Sequence, residues 1–146
     1  MKSFNLDNSL GYYFSKSYKL FSRAFDKQLS DKGLQYNSYH WTLLIILKNN
    51  PGINQSVISD IIERDKPFVT RLIDFSEKES LVERKPDPKD RRAHNLYLTA
   101  KGKKLFEKLL FEAEILNSEV VKGIDKEHIN IMKGTLQKII EKMSNS

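Results

Sequence analysis

The residues best suited to chemistry in this chain are cations, and most of the excess lies in one segment. The sequence of 146 residues has 25 Lys and Arg against 19 Asp and Glu, a formal net charge of +6. The segment from Val82 to Lys104 contains eight basic and three acidic residues, which gives it a formal net charge of +5. A solvated charged loop is the ordinary interpretation of such a run. Pro86 and Pro88 interrupt it and strand-like sequence flanks it, which indicates a basic hairpin able to follow a phosphate backbone. The basic residues are Arg84, Lys85, Lys89, Arg91, Arg92, Lys101, Lys103 and Lys104, and the acidic residues are Glu83, Asp87 and Asp90.

Residue types that support catalysis are absent or scattered. The sequence contains no cysteine, which excludes a disulfide scaffold, a thiolate zinc site and a cysteine nucleophile. His94 and His128 match no metal-ligand spacing, and no Gly-rich phosphate loop, nucleophile motif or paired-carboxylate arrangement is visible. We therefore expect neither an enzyme nor a site for a metal or another cofactor.

Composition indicates a globular protein outside the membrane. Hydrophobic residues make up 39% of the chain and charged residues 30%, with both signs present. No segment approaches the roughly 20 apolar residues of a membrane span, and the first seven residues begin no apolar stretch of signal-peptide length. We expect a cytoplasmic protein with no membrane partner.

Two helices are predicted in the first third of the chain. Apolar residues recur at spacings of three and four over residues 10–29, which is typical of one face of a long helix. A second helix, capped by Asn37 or Ser38, is apolar nearly all round and is therefore expected to be buried. The sequence Asn49-Asn50-Pro51-Gly52 ends it.

Two short helices follow. Asn54 is a good N-cap for a helix over residues 55–62, and Asp65 caps another that has Pro67 in its first turn. A helix N-terminus that exposes threonine and arginine fits the end of a helix that enters a DNA groove. The predicted inward face of this helix is Val69, Leu72 and Ile73, and its outward side carries Lys66, Pro67, Phe68, Thr70 and Arg71.

A hairpin and two helices complete the chain. Residues 81–85 and 93–99 are predicted strands, and the turn between them is too long for a tight hairpin, so the hairpin should project. Thr99 caps a long helix that Gly123 breaks, and Asp125 caps the last helix.

This order of elements predicts a mainly α-helical fold with a small β-hairpin wing. A winged helix-turn-helix domain occupies residues 36–99, and dimerisation helices flank it over residues 1–35 and 100–146. The outer helices carry an apolar face that so small a centre cannot cover. We expect a second copy of the chain to cover it, because two-fold dimers are the commonest oligomers.

Three segments carry a resemblance to a known family. They are residues 52–59, residues 69–74, and the run Leu81-Val82-Glu83-Arg84 followed by Asp87-Pro88-Lys89-Asp90-Arg91-Arg92 and ending in Leu98-Thr99 and Gly102. The first resembles the short helix before the recognition helix of the MarR family of bacterial transcription regulators. The second resembles the recognition helix of that family, and the third resembles its wing.

The resemblance implies a dimer that places recognition helices in successive major grooves and wing arginines near minor grooves. Arg92 would be the minor-groove arginine and Asp90 the residue that holds it, since a carboxylate two residues along a strand lies on the same face. Arginine bonds guanine bidentately, and narrow minor grooves attract guanidinium groups. The predicted DNA-binding residues are Pro67, Phe68, Thr70, Arg71, Lys89, Arg91 and Arg92.

The sequence departs from the family pattern at two places. Ser80 stands where the family usually has glycine, and a left-handed conformation there costs on the order of 1 kcal/mol more with a side chain. Phe75-Ser76 stands where a polar residue and leucine are more common. The sequence leaves open whether the inward face of the recognition helix shifts by one position, which would change the outward assignment of Phe68 and Thr70.

Aromatic residues are frequent on the first two helices. Core packing accounts for such a cluster. The resemblance implies an alternative, a pocket for a small aromatic acid between the dimer helices and the DNA-binding lobe, in which His40, Lys16 or Tyr39 meets the carboxylate. The predicted pocket residues are Phe14, Tyr18, Tyr39, His40 and Trp41.

Two functions are compatible with these patterns. The first is a homodimeric regulator, a repressor of a pseudo-palindromic operator in double-stranded DNA, released by a small aromatic or phenolic ligand. The alternative is a protein-interaction adaptor built on the winged-helix fold. The adaptor predicts a monomer or a hetero-complex, with no more than nonspecific affinity for DNA.

Overall fold

The computed structural model describes residues 5–146, so the first four residues of the predicted segment 1–35 lie outside it. The described part consists of a short 3-10 helix, six α-helices and three short strands. Their bounds are Leu6–Asn8 for the 3-10 helix, Leu10–Asp31 for α1, Ser38–Asn49 for α2, Ile53–Asn54 for β1, Gln55–Ile62 for α3, Lys66–Lys78 for α4, Val82–Pro86 for β2, His94–Leu98 for β3, Ala100–Val120 for α5 and Lys126–Ser144 for α6. The predicted fold class is confirmed.

Side-chain caps fix where the helices begin. Asn37 is the N-cap of α2, and its side chain accepts hydrogen bonds from the backbone N–H groups of Tyr39 and His40. Nδ1 of His40 in turn accepts from the Asn37 N–H at 3.1 Å, which completes a capping box. Asn54 and Asp125 cap α3 and α6 in the simpler one-sided manner. Of the two caps proposed for α2, Asn37 is the one that the chain uses.

The three strands form one antiparallel sheet with β3 in the centre. The hairpin register pairs Val82 with Leu98 and Arg84 with Leu96. On its other edge β3 pairs with β1, a strand of two residues that the sequence analysis did not predict. The hairpin strands are each within one residue of their predicted bounds at both ends.

The chain divides into two compact units, Met1–Ala113 and Glu114–Ser146, and the boundary falls within α5. The largest fully buried side chains of the first unit come from α1 to α5, the sheet and the α4–β2 connection, and include Leu29, Leu43, Ile58, Ile73, Leu81, Leu96 and Leu109. The predicted burial of α2 is confirmed. Across the described residues, no helix is both long and apolar enough to cross a bilayer.

Two helices leave apolar side chains uncovered. In α1, Phe25 and Leu29 are buried, whereas Leu10 and Phe14 towards the start of the helix are 67% and 41% exposed. In α6 no residue is buried, and Ile140 is 64% exposed. The described chain therefore leaves uncovered the apolar residues towards the start of α1 and the apolar side of α6.

Candidate nucleic-acid interface

Helix α4, the recognition helix, has a fixed rotation about its axis. Oδ1 of Asp65 accepts a hydrogen bond from the Phe68 N–H at 2.8 Å, and Pro67 lies in the first turn. The predicted inward residues Val69, Leu72 and Ile73 are buried on the opposite side of the helix. Ser76, which was not among them, is buried there as well. The side that remains in solvent carries Pro67, Thr70 and Arg71.

The chain accommodates both departures from the family pattern at the end of α4. Ser76 takes the next inward position after Leu72 and Ile73, and its hydroxyl donates to the Leu72 carbonyl at 2.8 Å. The inward face therefore continues from Leu72 and Ile73 to Ser76 without a shift by one position. Ser80 adopts the left-handed conformation, with φ of 59°, and the Leu81 N–H donates to the Ser76 carbonyl at 2.8 Å. The helix end thus keeps its turn despite the side chain at Ser80.

Phe68 was predicted to lie on the outward side of the helix. Its side chain is instead half-buried. Its ring meets the ring of Tyr39 from α2 edge-on, with the centroids 4.8 Å apart. The guanidinium of Arg64 stacks 3.8 Å from the Phe68 centroid and donates to the Tyr39 hydroxyl at 2.7 Å. Arg64 therefore anchors the start of the recognition helix to α2. The sequence gives no sign of this contact, because Tyr39 lies far from Arg64 along the chain.

The wing tip, residues 87–93, presents three exposed cations, Lys89, Arg91 and Arg92. Two carboxylates stabilise its backbone. Oδ1 of Asp87 accepts from the Lys89 N–H at 2.8 Å, and Oδ1 of Asp90 accepts from the Arg92 N–H at 2.9 Å. Both are Asx turns, which hold the backbone of a loop without engaging the next side chains.

The predicted geometry of Asp90 and Arg92 needs a correction. Residues 90–92 form a turn, and β3 begins only at His94, so the same-face argument for a strand does not apply. Asp90 binds the backbone N–H of Arg92 rather than its guanidinium. The guanidinium therefore remains exposed to solvent.

Several basic residues of the segment 82–104 are engaged within the protein. Arg84 pairs with Asp74 and Glu77, and Lys85 pairs with Glu83. Lys101 donates to the backbone carbonyl of Glu79 at 2.7 Å, beyond the last turn of α4. The remaining cations of the segment are exposed and form no salt bridge with another described residue; they are Lys89, Arg91 and Arg92 at the wing tip and Lys103 and Lys104 in the first turns of α5.

The five predicted pocket residues lie in separate surroundings. Trp41 packs against Phe25 and Phe106. His40 packs against Tyr36 and Phe75, and burial lowers its pKa, although the Asp26 carboxylate opposes this shift. Tyr39 contacts Phe68 and Arg64, as described above, whereas Phe14 and Tyr18 are exposed on α1. His40 and Trp41 thus have the packing role that was the alternative to a pocket.

A cavity of about 380 Å³ lies along the 3-10 helix and α1. None of the five predicted pocket residues lines it, but Lys16 does. The lining residues are Leu6, Ser9, Tyr12, Ser15, Lys16, Lys19, Leu20 and Arg23.

Helices α3 and α4, followed by the β2–β3 hairpin, define a winged helix-turn-helix protein. Comparison with known proteins shows what the chain is similar to. Residues 37–94 match the sequence model of the MarR family. A Bacillus subtilis (strain 168) protein, described as the uncharacterised HTH-type transcriptional regulator YybA, is 27% identical over 84% of this chain and 85% of its own length. The chain is therefore similar to MarR-family proteins and to an HTH-type transcriptional regulator.

Solved structures share the fold of this chain. A MarR-family transcriptional regulator from Rhodococcus sp. RHA1 superposes with a TM-score of 0.83 and 25% identity, covering 94% of this chain and 96% of that one. CouR from Rhodococcus jostii RHA1, solved bound to p-coumaroyl-CoA, superposes with a TM-score of 0.77 and 23% identity over 94% of this chain and 95% of its own. The likeness to CouR concerns the fold alone.

Proposed function

We propose that this chain is a transcriptional repressor that binds double-stranded DNA as a homodimer, on an operator with approximate two-fold symmetry. The observation that carries the proposal is the set of cations at the wing tip and on the recognition helix. Lys89, Arg91, Arg92 and Arg71 are all exposed. None of them forms a salt bridge with another described residue.

Each part of this surface suits a different part of a duplex. An α-helix fits the major groove, where Arg71 can bond guanine and Thr70 can contact a base edge. A projecting hairpin reaches the neighbouring minor groove, whose negative potential attracts the guanidinium of Arg92. Lys89 and Arg91 neutralise phosphates, which supplies affinity without sequence preference.

The uncovered apolar sides of α1 and α6 support the homodimer. Such helices need a partner surface, and a second copy of the chain is the simplest source. A two-fold dimer would hold its two recognition helices about one helical turn, or about 10 base pairs, apart. The two-fold symmetry of such a dimer is the reason why the proposed operator is pseudo-palindromic.

Selection from a random duplex pool tests the proposal directly. We expect the purified protein to elute as a dimer and to enrich a sequence with two related half-sites. In a reporter strain carrying that sequence in a promoter, loss of the protein should raise expression. A monomer that enriches no sequence would contradict the proposal and favour the protein-interaction adaptor.

A small aromatic or phenolic acid is the proposed effector. The support comes from the family, since CouR has been solved bound to p-coumaroyl-CoA. Such a ligand would release the protein from DNA if it bound more tightly to a form of the dimer in which the distance between the recognition helices does not match the operator half-sites. Titration of the protein–DNA complex with benzoate or 4-coumarate should release DNA, whereas acetate, which lacks the ring, should not. Equal effects of all three acids would contradict the effector.

A further inference from the structure

Arg84 lies on the side of the wing that faces the protein core. In the hairpin register it stands opposite Leu96, two residues along from the pair of Val82 and Leu98, and these three apolar residues are buried. Alternate residues of a strand share a face, so the side chain of Arg84 leaves the sheet on this apolar side. Only 17% of it is exposed. A cation in such a place is costly unless its N–H groups find partners.

Three acceptors on two helices engage the guanidinium of Arg84. Nη2 donates to Oδ1 of Asp74 at 2.6 Å, and Nη1 donates to Oε1 of Glu77 at 3.1 Å. Nε donates to Oε1 of Gln55, the first residue of α3, at 3.1 Å. Asp74 and Glu77 are three residues apart and so share one side of the recognition helix. The rigid planar fork can bond all three acceptors only while β2, α3 and α4 keep these relative positions.

A second link leads from Gln55 to the exposed side of the recognition helix. Nε2 of Gln55 lies 3.5 Å from Oγ1 of Thr70, one of the residues proposed to face the major groove. Arg84 therefore holds the side-chain amide of Gln55, which lies next to one of the residues proposed to contact the bases.

We propose that Arg84 is a positioning residue that fixes the wing against the recognition helix and thereby determines DNA sequence specificity. This inference rests on the proposed function, because it concerns how the same surface distinguishes one duplex from another. Arg71 and the wing-tip cations can engage one duplex together only at a fixed mutual spacing. A misplacement of about 1 Å is enough to spoil contacts that depend on geometry.

Removing the carboxylates that bind Arg84 distinguishes a positioning role of this residue from a direct phosphate contact, because the two roles predict opposite changes in affinity for the selected duplex. The double variant Asp74→Ala/Glu77→Ala removes two negative charges and releases the Arg84 guanidinium. If Arg84 were only one more cation for DNA, affinity for every duplex would rise. We expect affinity for a duplex selected by the wild-type protein to fall about tenfold, while affinity for a random duplex is unchanged or higher. A rise on both duplexes would overturn the proposal.

Lys85 provides the matched control, because it follows Arg84 on β2 and its side chain is 58% exposed. Arg84→Met and Lys85→Met each remove one cation from neighbouring positions. We expect Arg84→Met to lose discrimination between selected and random duplexes, and Lys85→Met to weaken both equally. Arg84→Lys keeps the charge without the fork and should also lose discrimination. Full discrimination in Arg84→Lys would count against the proposal.

Hydrogen exchange of the free protein gives a readout that needs no DNA. Backbone amides of β2 and β3 should exchange faster in Arg84→Met than in the wild type, and at the wild-type rate in Lys85→Met. Unchanged exchange in Arg84→Met would refute the positioning role. A wild-type protein that prefers no duplex would refute the proposed function instead, and hydrogen exchange would still decide whether Arg84 fixes the wing.

Discussion

The exposure of the Arg92 guanidinium follows from the turn that carries it. The Asp90 carboxylate holds the backbone N–H of Arg92, so the side chain extends into solvent from a fixed point. We predict that Arg92→Ala weakens binding to the selected duplex strongly. The slope of log K against log salt should become less steep by about 1, because the lost contact releases fewer counterions. Fluorescence anisotropy across a salt titration measures both quantities.

Lys122 is a suitable control for Arg92, since it is an exposed cation in the turn between α5 and α6. Lys122→Ala should leave the salt slope as it is in the wild type. If the two variants behave alike, the wing arginine has no special part in DNA binding.

Arg71 differs from Arg92 in its local structure, because it lies on the exposed side of helix α4 whereas Arg92 lies in a turn. On the solvent side of α4 it is next to Thr70, where bidentate bonding to a guanine is possible. We predict that Arg71→Ala reduces discrimination between selected and random duplexes by about 1–3 kcal/mol. Competition titrations with the two duplexes measure the difference. Equal losses on both would make Arg71 a backbone contact.

The first turn of α5 lies against the residues that join α4 to β2. The hydroxyl of Thr99 donates to the Ser80 carbonyl at 2.6 Å and accepts from the Gly102 N–H at 3.0 Å. A Cβ at Gly102 would stand 2.1 Å from the carbonyl oxygen of Leu81. We predict that Gly102→Ala lowers the free energy of unfolding by about 2–3 kcal/mol, measured by urea denaturation at fixed protein concentration.

Gly134 in α6 supplies the comparison, because nothing lies within 4 Å of the position of its Cβ. Gly134→Ala gains helix propensity without a clash and should raise the free energy of unfolding by about 1 kcal/mol. Similar changes in the two variants would show that the close approach at Gly102 does not limit stability.

Glu112 joins α5 to the end of α1. Its side chain is 6% exposed, and Oε2 accepts from Nζ of Lys32 at 2.6 Å and from Nε2 of Gln28 at 2.7 Å. The hydrogen bond from Lys32 lowers the pKa of Glu112, against the effect of burial. Since the folded pKa lies below the unfolded one, the stabilisation is complete above about pH 4.3 and is lost as the pH falls through the folded pKa.

We therefore predict that Glu112→Gln lowers the free energy of unfolding near neutral pH. The loss should be about 1–2 kcal/mol, less than for a fully buried ion pair, because Lys32 is half exposed. The gap between variant and wild type should narrow in acid. The exposed pair of Lys27 and Asp31 is the control, and Asp31→Asn should cost less than about 0.5 kcal/mol. A gap for Glu112→Gln that does not change with pH would contradict the assigned ion pair.

What the sequence predicted well is local. Asn54, Asp65 and Asp125 cap the helices that they were expected to cap, because a cap depends only on the next few residues. The hairpin was predicted for the same reason, since alternation along each strand is visible within the segment.

The contacts that could not be predicted join distant residues. Strand β1 has only two residues and exists through its pairing with β3, so it has no periodicity of its own. The position of Phe68 depends on Tyr39 in another helix. Arg84 was counted as one more basic residue, because its partners Asp74 and Glu77 belong to a different element.

The uncovered helices connect the stability of the molecule to its proposed function. If a second copy covers the apolar sides of α1 and α6, as proposed, this dimerisation also determines where the two proposed DNA-binding domains lie. Regulation then needs only a change in the distance between two recognition helices, with no change within either domain.

The spacing of operator half-sites is therefore the sharpest test of the dimer. Moving the half-sites of the selected duplex apart by about five base pairs rotates the second one to the opposite side of the helix, since one turn is about 10 base pairs. We predict that affinity falls to that of a duplex with a single half-site, because a fixed dimer cannot engage both. Gel shifts with the original, the spaced and the single half-site duplexes measure this at one salt concentration. If the chains bound the half-sites independently, the insertion would not change their affinity, since each half-site would still be occupied by one chain. Unchanged affinity would therefore contradict the dimer.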